Sequence, residues 1–256
     1  MLRIYRAHFY KLIRDPLFYF GIIATALLCA STLVGENPWI AADVSTQLNL
    51  TVDFATLRNM IAIAGALPFV ANFAGEWTSR VTVGCVSRCG VKRYAVSNVV
   101  VCFVSSLVTV FLGMMLFAVG LSFFMPVFVD IPNNPMDIVS ETLLRGGMPW
   151  VYIIFRILPF AAGCGMWSVM GMMLTAFFPN KFVGICTPFV ASYVIERITV
   201  EFPTALNLYN VSLGFVDMEN IWLQQLYCVG FFAALSAVLG TVFVITVKRR
   251  VQNEVA

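Results

Sequence analysis

Long apolar runs alternate along this chain with short polar segments. A helix crossing a hydrocarbon core of about 30 Å needs about 20 apolar residues. Six stretches meet or approach that length: 16–34, 57–75, 95–125, 149–178, 182–198 and 221–247. The apolar run from Pro149 to Ile195 is too long for one helix. Phe178-Pro179-Asn180-Lys181 interrupts it, because proline cannot continue a helix and Asn-Lys prefers water. A tight hairpin of two spans is therefore predicted there. Pro68, Pro159 and Pro188 fall inside the second, fourth and fifth spans and are expected to kink them. Span four also carries Ala161, Ala162, Gly163, Gly165 and Gly171, a small-residue face suited to close helix packing within the subunit or against a second one.

Residues 1–15 follow another period. At about 100° per residue, Leu2, Tyr5, Phe9, Leu12 and Ile13 share one face, and Arg3, His8, Lys11 and Arg14 the other. This predicts an amphipathic helix in the membrane interface, with Arg3, Arg6, Lys11 and Arg14 turned to lipid headgroups or to a partner. The alternative is a basic anchor with no further role. Asp15-Pro16 ends the helix and opens the first span.

Composition agrees with a membrane protein. Hydrophobic residues make up 60% and charged residues 11%, against about 25% charged in an ordinary soluble domain. The expected fold is all-α: a single polytopic transmembrane domain over residues 1–256. Its 23 Phe read as lipid-facing and packing surface, and no dense basic tract points to nucleic acid. The seven cysteines, mostly inside apolar runs, read as packing residues. Cys85 and Cys89 are one helical turn apart, but a metal site there needs further ligands, and His8 is the only histidine. No metal site is expected. The first apolar run follows basic residues, as in a signal peptide, and Leu27-Leu28-Cys29-Ala30 resembles a lipoprotein site. Leu28 stands where a small residue is wanted, so the run is expected to be a retained first span.

Charge sets the orientation. With the N-terminus in the cytoplasm, the inner segments hold Arg3, Arg6, Lys11, Arg14, Arg80, Arg88, Lys92, Arg93, Lys181, Lys248, Arg249 and Arg250, twelve of the sixteen Lys and Arg. Arg58, Arg145 and Arg197 fall outside, with Asp43, Asp53, Asp130, Asp137, Glu141, Glu201, Asp217 and Glu219. Both termini are basic, so six spans with both ends in the cytoplasm is the consistent solution. Trp39, Trp150 and Trp222 near outer boundaries, and Trp77 near an inner one, form an aromatic belt.

The chemistry of the chain narrows its function. No Gly-Lys-Ser or Gly-Lys-Thr is present to cradle a nucleotide phosphate. Protease motifs built on histidine fail for want of histidines. No Asp or Glu is expected deep in a span, which disfavours ion-coupled transport and intramembrane aspartyl chemistry. Arg156 is the deepest charge. It lies about 9 Å past Trp150 at 1.5 Å per residue, so it is expected to snorkel outward or to pair with an acid such as Glu196. It is also the candidate residue for the substrate path.

The segment 76–94 is longer than a connection requires. Glu76 ends span two; Arg80, Ser87-Arg88 and Lys92-Arg93-Tyr94 follow. The spacing allows a small helix parallel to the membrane. The simpler reading makes these cations topology determinants only.

With its interfacial helix, six spans, inner termini and Glu76…Ser87-Arg88 pattern, the chain resembles the type-2 ABC transporter permeases of drug, polysaccharide and antimicrobial-peptide exporters. The family's Gly-Thr pair and its lysine entering span three are replaced here by Ser79-Arg80-Val81-Thr82 and Ser97-Asn98. The resemblance implies that 76–94 is a coupling segment for a separate ABC ATPase, which binds ATP and Mg. It implies a second permease copy, homo- or heteromeric, and short re-entrant helices in 199–220, where an ordered external loop is the alternative. The short external loops favour a hydrophobic or amphipathic cargo, such as a drug-like molecule or an antimicrobial peptide. No cofactor and no enzymatic activity are expected on this chain. The competing functions are a non-transporting membrane scaffold or sensor-associated subunit and, third, an ion-coupled transporter or channel.

Overall fold

Polar residues, glycine or proline mark several of the helix boundaries, among them Asp15-Pro16, Pro68, Ser79-Arg80, Gly90 and Pro179-Asn180. The computed structural model describes residues 2–33, 43–129, 143–144, 146–216, 218 and 220–255, and every regular element among them is helical. In chain order the elements are α1 (Leu2–Arg14), α2 (Pro16–Ala30, prolonged by a 3-10 turn at Ser31–Leu33), α3 (Val44–Asp53), α4 (Ala55–Ala66), α5 (Asn72–Thr78), α6 (Val81–Cys89), α7 (Val91–Ser122), α8 (Pro149–Phe177), α9 (Lys181–Thr199), α10 (Leu208–Leu213) and α11 (Ile221–Val255). Five of these are long and apolar enough to cross a membrane: α2 with its turn, α7, α8, α9 and α11.

Local chemistry sets the boundaries. The Asp15 carboxylate accepts the Leu17 amide at 2.9 Å, and Pro16 opens α2, where a missing N–H is no loss. The predicted hairpin forms at 178–180, where Asn180 caps α9 by accepting the Phe182 amide at 2.9 Å. Asp43 caps α3 through the Thr46 amide and also accepts the Val129 amide at 2.9 Å, tying the start of α3 to the end of the α7 region. The sequence did not announce α3. It is short and only mildly apolar, yet Val44, Leu48 and Val52 are buried on one face.

The second apolar stretch departs from expectation. It is not one helix over 57–75 but two, α4 and α5, separated by a turn at 67–71. Pro68 lies in that turn and brings no N–H to continue the ladder. At other ends the helices run differently from the apolar limits. α7 stops at Ser122 rather than 125, and α11 continues to Val255, since a helix outlasts its apolar part when the following residues are good helix formers. Trp39, Asp130, Asp137, Glu141, Arg145, Asp217 and Glu219 lie outside the described residues.

α8 is the centre of the bundle, with α4, α7, α9 and α11 packed around it. Its small-residue face serves packing within this chain. A Cβ at Gly171 would stand 2.5 Å from the Gly184 carbonyl oxygen on α9; at Gly165 it would meet the Phe103 ring at 2.9 Å, and at Gly163 the Phe232 ring at 3.3 Å. Without these side chains the backbones approach closely. Of the seven cysteines, Cys29, Cys102, Cys164 and Cys228 are buried and the others half-buried; none forms a disulfide. The outer faces of α2, α9 and α11 expose large apolar residues such as Phe20, Leu27, Val190, Leu226 and Val238, as lipid-facing helices do.

Both chain ends gather at one end of the bundle. The His8 ring of α1 sits 5.9 Å from Phe69 and 6.2 Å from Tyr94 at the start of α7. Arg250 of α11 donates to the Ala176 carbonyl at 2.9 Å and lies 4.7 Å over the Trp77 ring.

Candidate functional site

Two charged constellations stand at opposite ends of the bundle. At the end holding the termini, Glu76 is the hub. Lys11 of α1 donates to it at 2.9 Å, Asn72 donates at 3.1 Å, and the Tyr94 hydroxyl donates to its other oxygen. Lys11 also donates to the Asn72 side-chain oxygen. The carboxylate thus ties α1 and α7 to α5, and it is half-buried rather than presented at the surface.

Its environment tunes its charge. Burial pushes the Glu76 carboxyl up, but hydrogen bonds from Tyr94 and Lys11, and the charges of Lys11 and His8, more than reverse this and leave it below its ordinary 4.5. For His8, burial pushes the imidazole down, Glu76 pulls it up and Lys11 pushes it down again; the outcome is below 6.5. Both shifts favour the deprotonated form in the folded state. Their stability is therefore present above the ordinary values and lost as pH falls: below 6.5 for His8, then below 4.5 for Glu76. Thermal unfolding in detergent is expected to show falling stability from pH 6.5 downward. Glu76→Gln should remove the lower step. At pH 7.5 it should cost about 1–2 kcal/mol, since charged hydrogen bonds are lost while half-exposed Lys11 adds little. An unchanged acid profile in that variant would show that the hub does not hold these helices.

The other coupling-segment residues project away from the hub. Arg80, Ser87, Arg88, Lys92 and Arg93 are all exposed, on or beside α6. The Ser87 hydroxyl donates to the Gly84 carbonyl at 3.0 Å. Arg80 has φ 56°, the left-handed region, at the turn between α5 and α6. A non-glycine residue there costs about 1–2 kcal/mol. On α1, Arg6 and Arg14 are exposed, with Arg14 4.3 Å over the Tyr10 ring; Arg3 belongs to the same helix. Of the residues of the coupling segment and α1, Glu76 meets both Lys11 and Tyr94.

The opposite end corrects two expectations. Arg156 does not pair with Glu196. It donates to the Asn49 side-chain oxygen at 2.8 Å and to the Leu213 carbonyl, and lies 4.4 Å over Phe215, so it clamps α3 and α10 to α8. Glu196 pairs instead with Arg58 at 2.7 Å, and both side chains are about nine-tenths buried. Arg58 was expected in an outer connection, and no acid was expected deep in a span; Glu196 keeps to that, in the last turn of α9. Both side chains are buried in the bundle, where α4 and α9 pack together and bring opposite charges face to face. Arg58 also donates to the Val52 carbonyl at 3.3 Å and lies 4.5 Å over Tyr209, while Ser192 donates to Asn59 at 3.0 Å. Opposite charges at matching ends of two apolar stretches were the available signal.

The pair forms part of a cavity of about 210 Å³, lined by Asp53, Ala55, Arg58, Asn59, Tyr193, Glu196, Arg197, Val200 and Tyr209. Beneath it a space of about 10 Å³, the size of one water, continues past Ser192 to Cys164 and Trp167. A third concavity of about 480 Å³ runs between α8 and α9, with Met170, Leu174, Phe182 and Val190 on its walls.

Comparison with family models, curated proteins and solved structures finds no match for this chain.

Proposed function

We propose that this chain is the membrane-spanning permease subunit of an ATP-driven ABC exporter, carrying a hydrophobic or amphipathic cargo across the cytoplasmic membrane. In this reading α4 and α5 together make a broken sixth crossing beside the five long helices, and both termini are cytoplasmic. The chain itself is not an enzyme. ATP and Mg belong to a separate ATPase subunit, and a second permease copy completes the transporter.

The observation that carries the reading is α6. It is a helix outside the long apolar ones, at the end of the bundle that holds both termini, and it presents Arg80, Ser87, Arg88 and nearby Lys92 and Arg93 to the surface. A connection between two crossings does not require it. Arg80 occupies a left-handed position that glycine would take at lower energy, so the site retains a guanidinium against backbone preference. The Glu76 hub links this segment to α1 and α7. Movement imposed on α6 passes through the turn at Ser79-Arg80 to α5, and the hub ties α5 to α1 and α7.

The test is copurification. The chain is co-expressed with an ATP-binding-cassette protein encoded beside it and purified through a tag on the chain. Triple replacement of Arg80, Arg88 and Arg93 by alanine leaves the hub intact. It is expected to reduce ATPase recovery at least about tenfold, as loss of charged contacts at an interface does. Equal recovery would move the docking surface elsewhere. No recovery with the parent chain, well folded, would favour the non-transporting scaffold.

A further inference from the structure

The cavity above Arg58 and Glu196 has a lining of mixed sign. Arg58 and Arg197 supply two formal positive charges, Asp53 and Glu196 two negative ones, and Tyr193 and Tyr209 supply aromatic faces. A simple anion entering there meets two carboxylates, and a simple cation meets two guanidinium groups. A group carrying both charges can satisfy both. The tyrosine rings hold the two guanidinium groups, Arg58 at 4.5 Å over Tyr209 and Arg197 at 5.9 Å over Tyr193, and so set the positive side of the cavity. Arg58 carries a further signal. Its side chain is more than nine-tenths buried, and its Nε has no hydrogen-bond partner among the described residues. Such a buried donor is costly unless something meets it.

The position of the cavity selects the source of the zwitterion. It lies at the last turn of α9 and the first turn of α4, at the level where a membrane helix leaves the hydrocarbon. Of its lining, Tyr193 and Val200 are more than half exposed, as are Phe54 and Ile198, the chain neighbours of lining residues Asp53 and Arg197. An apolar rim of this kind belongs against acyl chains, not water. Asp53 and Arg197 are exposed as well, while Arg58 and Glu196 form the buried floor. We infer that this cavity binds the zwitterionic headgroup of a phospholipid, phosphate toward the guanidinium side and ammonium toward the carboxylate side, with the acyl chains left against the rim. The inference stands on the cavity alone and does not require that the chain transports anything.

The experiment is native mass spectrometry of the full-length protein in detergent, titrated with phosphatidylethanolamine, with phosphatidylglycerol and with soluble glycerophosphoethanolamine. Phosphatidylethanolamine is expected to bind at least about tenfold more tightly than phosphatidylglycerol, the difference that charge-assisted hydrogen bonds make. Asp53→Asn with Arg197→Gln should abolish that preference. Both side chains are exposed, and a retained thermal transition shows the fold intact; Asp53→Asn alone, expected to lose part of the preference, serves if the double variant unfolds. Equal binding of the two lipids overturns the inference, as does a preference that survives both variants. Equally tight binding of glycerophosphoethanolamine overturns the lipid source.

Discussion

Arg58→Ala is expected to lower the stability of the protein by about 3–5 kcal/mol, because it strands the Glu196 carboxylate inside the bundle. Three contacts go at once: the ion pair, the bond to the Val52 carbonyl and the stacking on Tyr209. The carboxylate that remains is about nine-tenths buried between helices. Glu196→Ala is expected to be similarly damaging, since it leaves the guanidinium uncompensated. The double replacement Arg58→Met with Glu196→Leu is the informative comparison. A buried pair removed as a unit and replaced by apolar volume is often neutral, so the double variant should recover most of the loss. Thermal unfolding in one detergent of the parent, Arg58→Met, Glu196→Leu and the double variant closes the cycle. Additive losses would mean that the two charges do not depend on each other.

Gly171→Leu is expected to separate α8 from α9. Even the first carbon of the new side chain would stand 2.5 Å from the Gly184 carbonyl oxygen, closer than real contacts come. No rotamer relieves a clash with backbone, so the helices must move apart, at about 3 kcal/mol or more. Gly171→Ala should act in the same direction. Gly84→Ala supplies the contrast on α6: a Cβ there meets nothing within 4 Å. It should be stabilising by about 0.5–1 kcal/mol, as alanine is in an open helical position. Unfolding midpoints of the three variants decide the matter. A Gly171→Leu protein as stable as its parent would mean that α8 and α9 do not pack as described.

Much of this fold was legible because lipid imposes one strong rule, that apolar runs of sufficient length become helices. The Phe178–Lys181 hairpin and the small-residue face of α8 follow from that rule and from the chemistry of proline and glycine. What was not legible depends on which helices become neighbours. Asp43 and Arg58 both looked like residues of an outer connection, yet each is drawn inward by a partner distant in sequence: Val129 and Glu196. The hub at Glu76 shows the same limit. Its position was visible, but that Lys11 and Tyr94 would turn it into an internal tie, rather than a surface contact, required the packing of α1 on α7. The break at 67–71 was signalled by Pro68 as a kink; only the fold shows that the helix stops and restarts.

The helices also differ in length by more than a bilayer can match at once. The apolar part of α11, residues 221–247, runs about 40 Å at 1.5 Å per residue, whereas the 19 residues of α9 run about 28 Å. A core of about 30 Å lets α9 stand nearly upright and obliges α11 to lean. Thinning the bilayer increases the lean of the long helices while α9 stays matched. Membrane thickness therefore acts as a shear on the bundle, felt most where short meets long, at the backbone contact of Gly171 with Gly184.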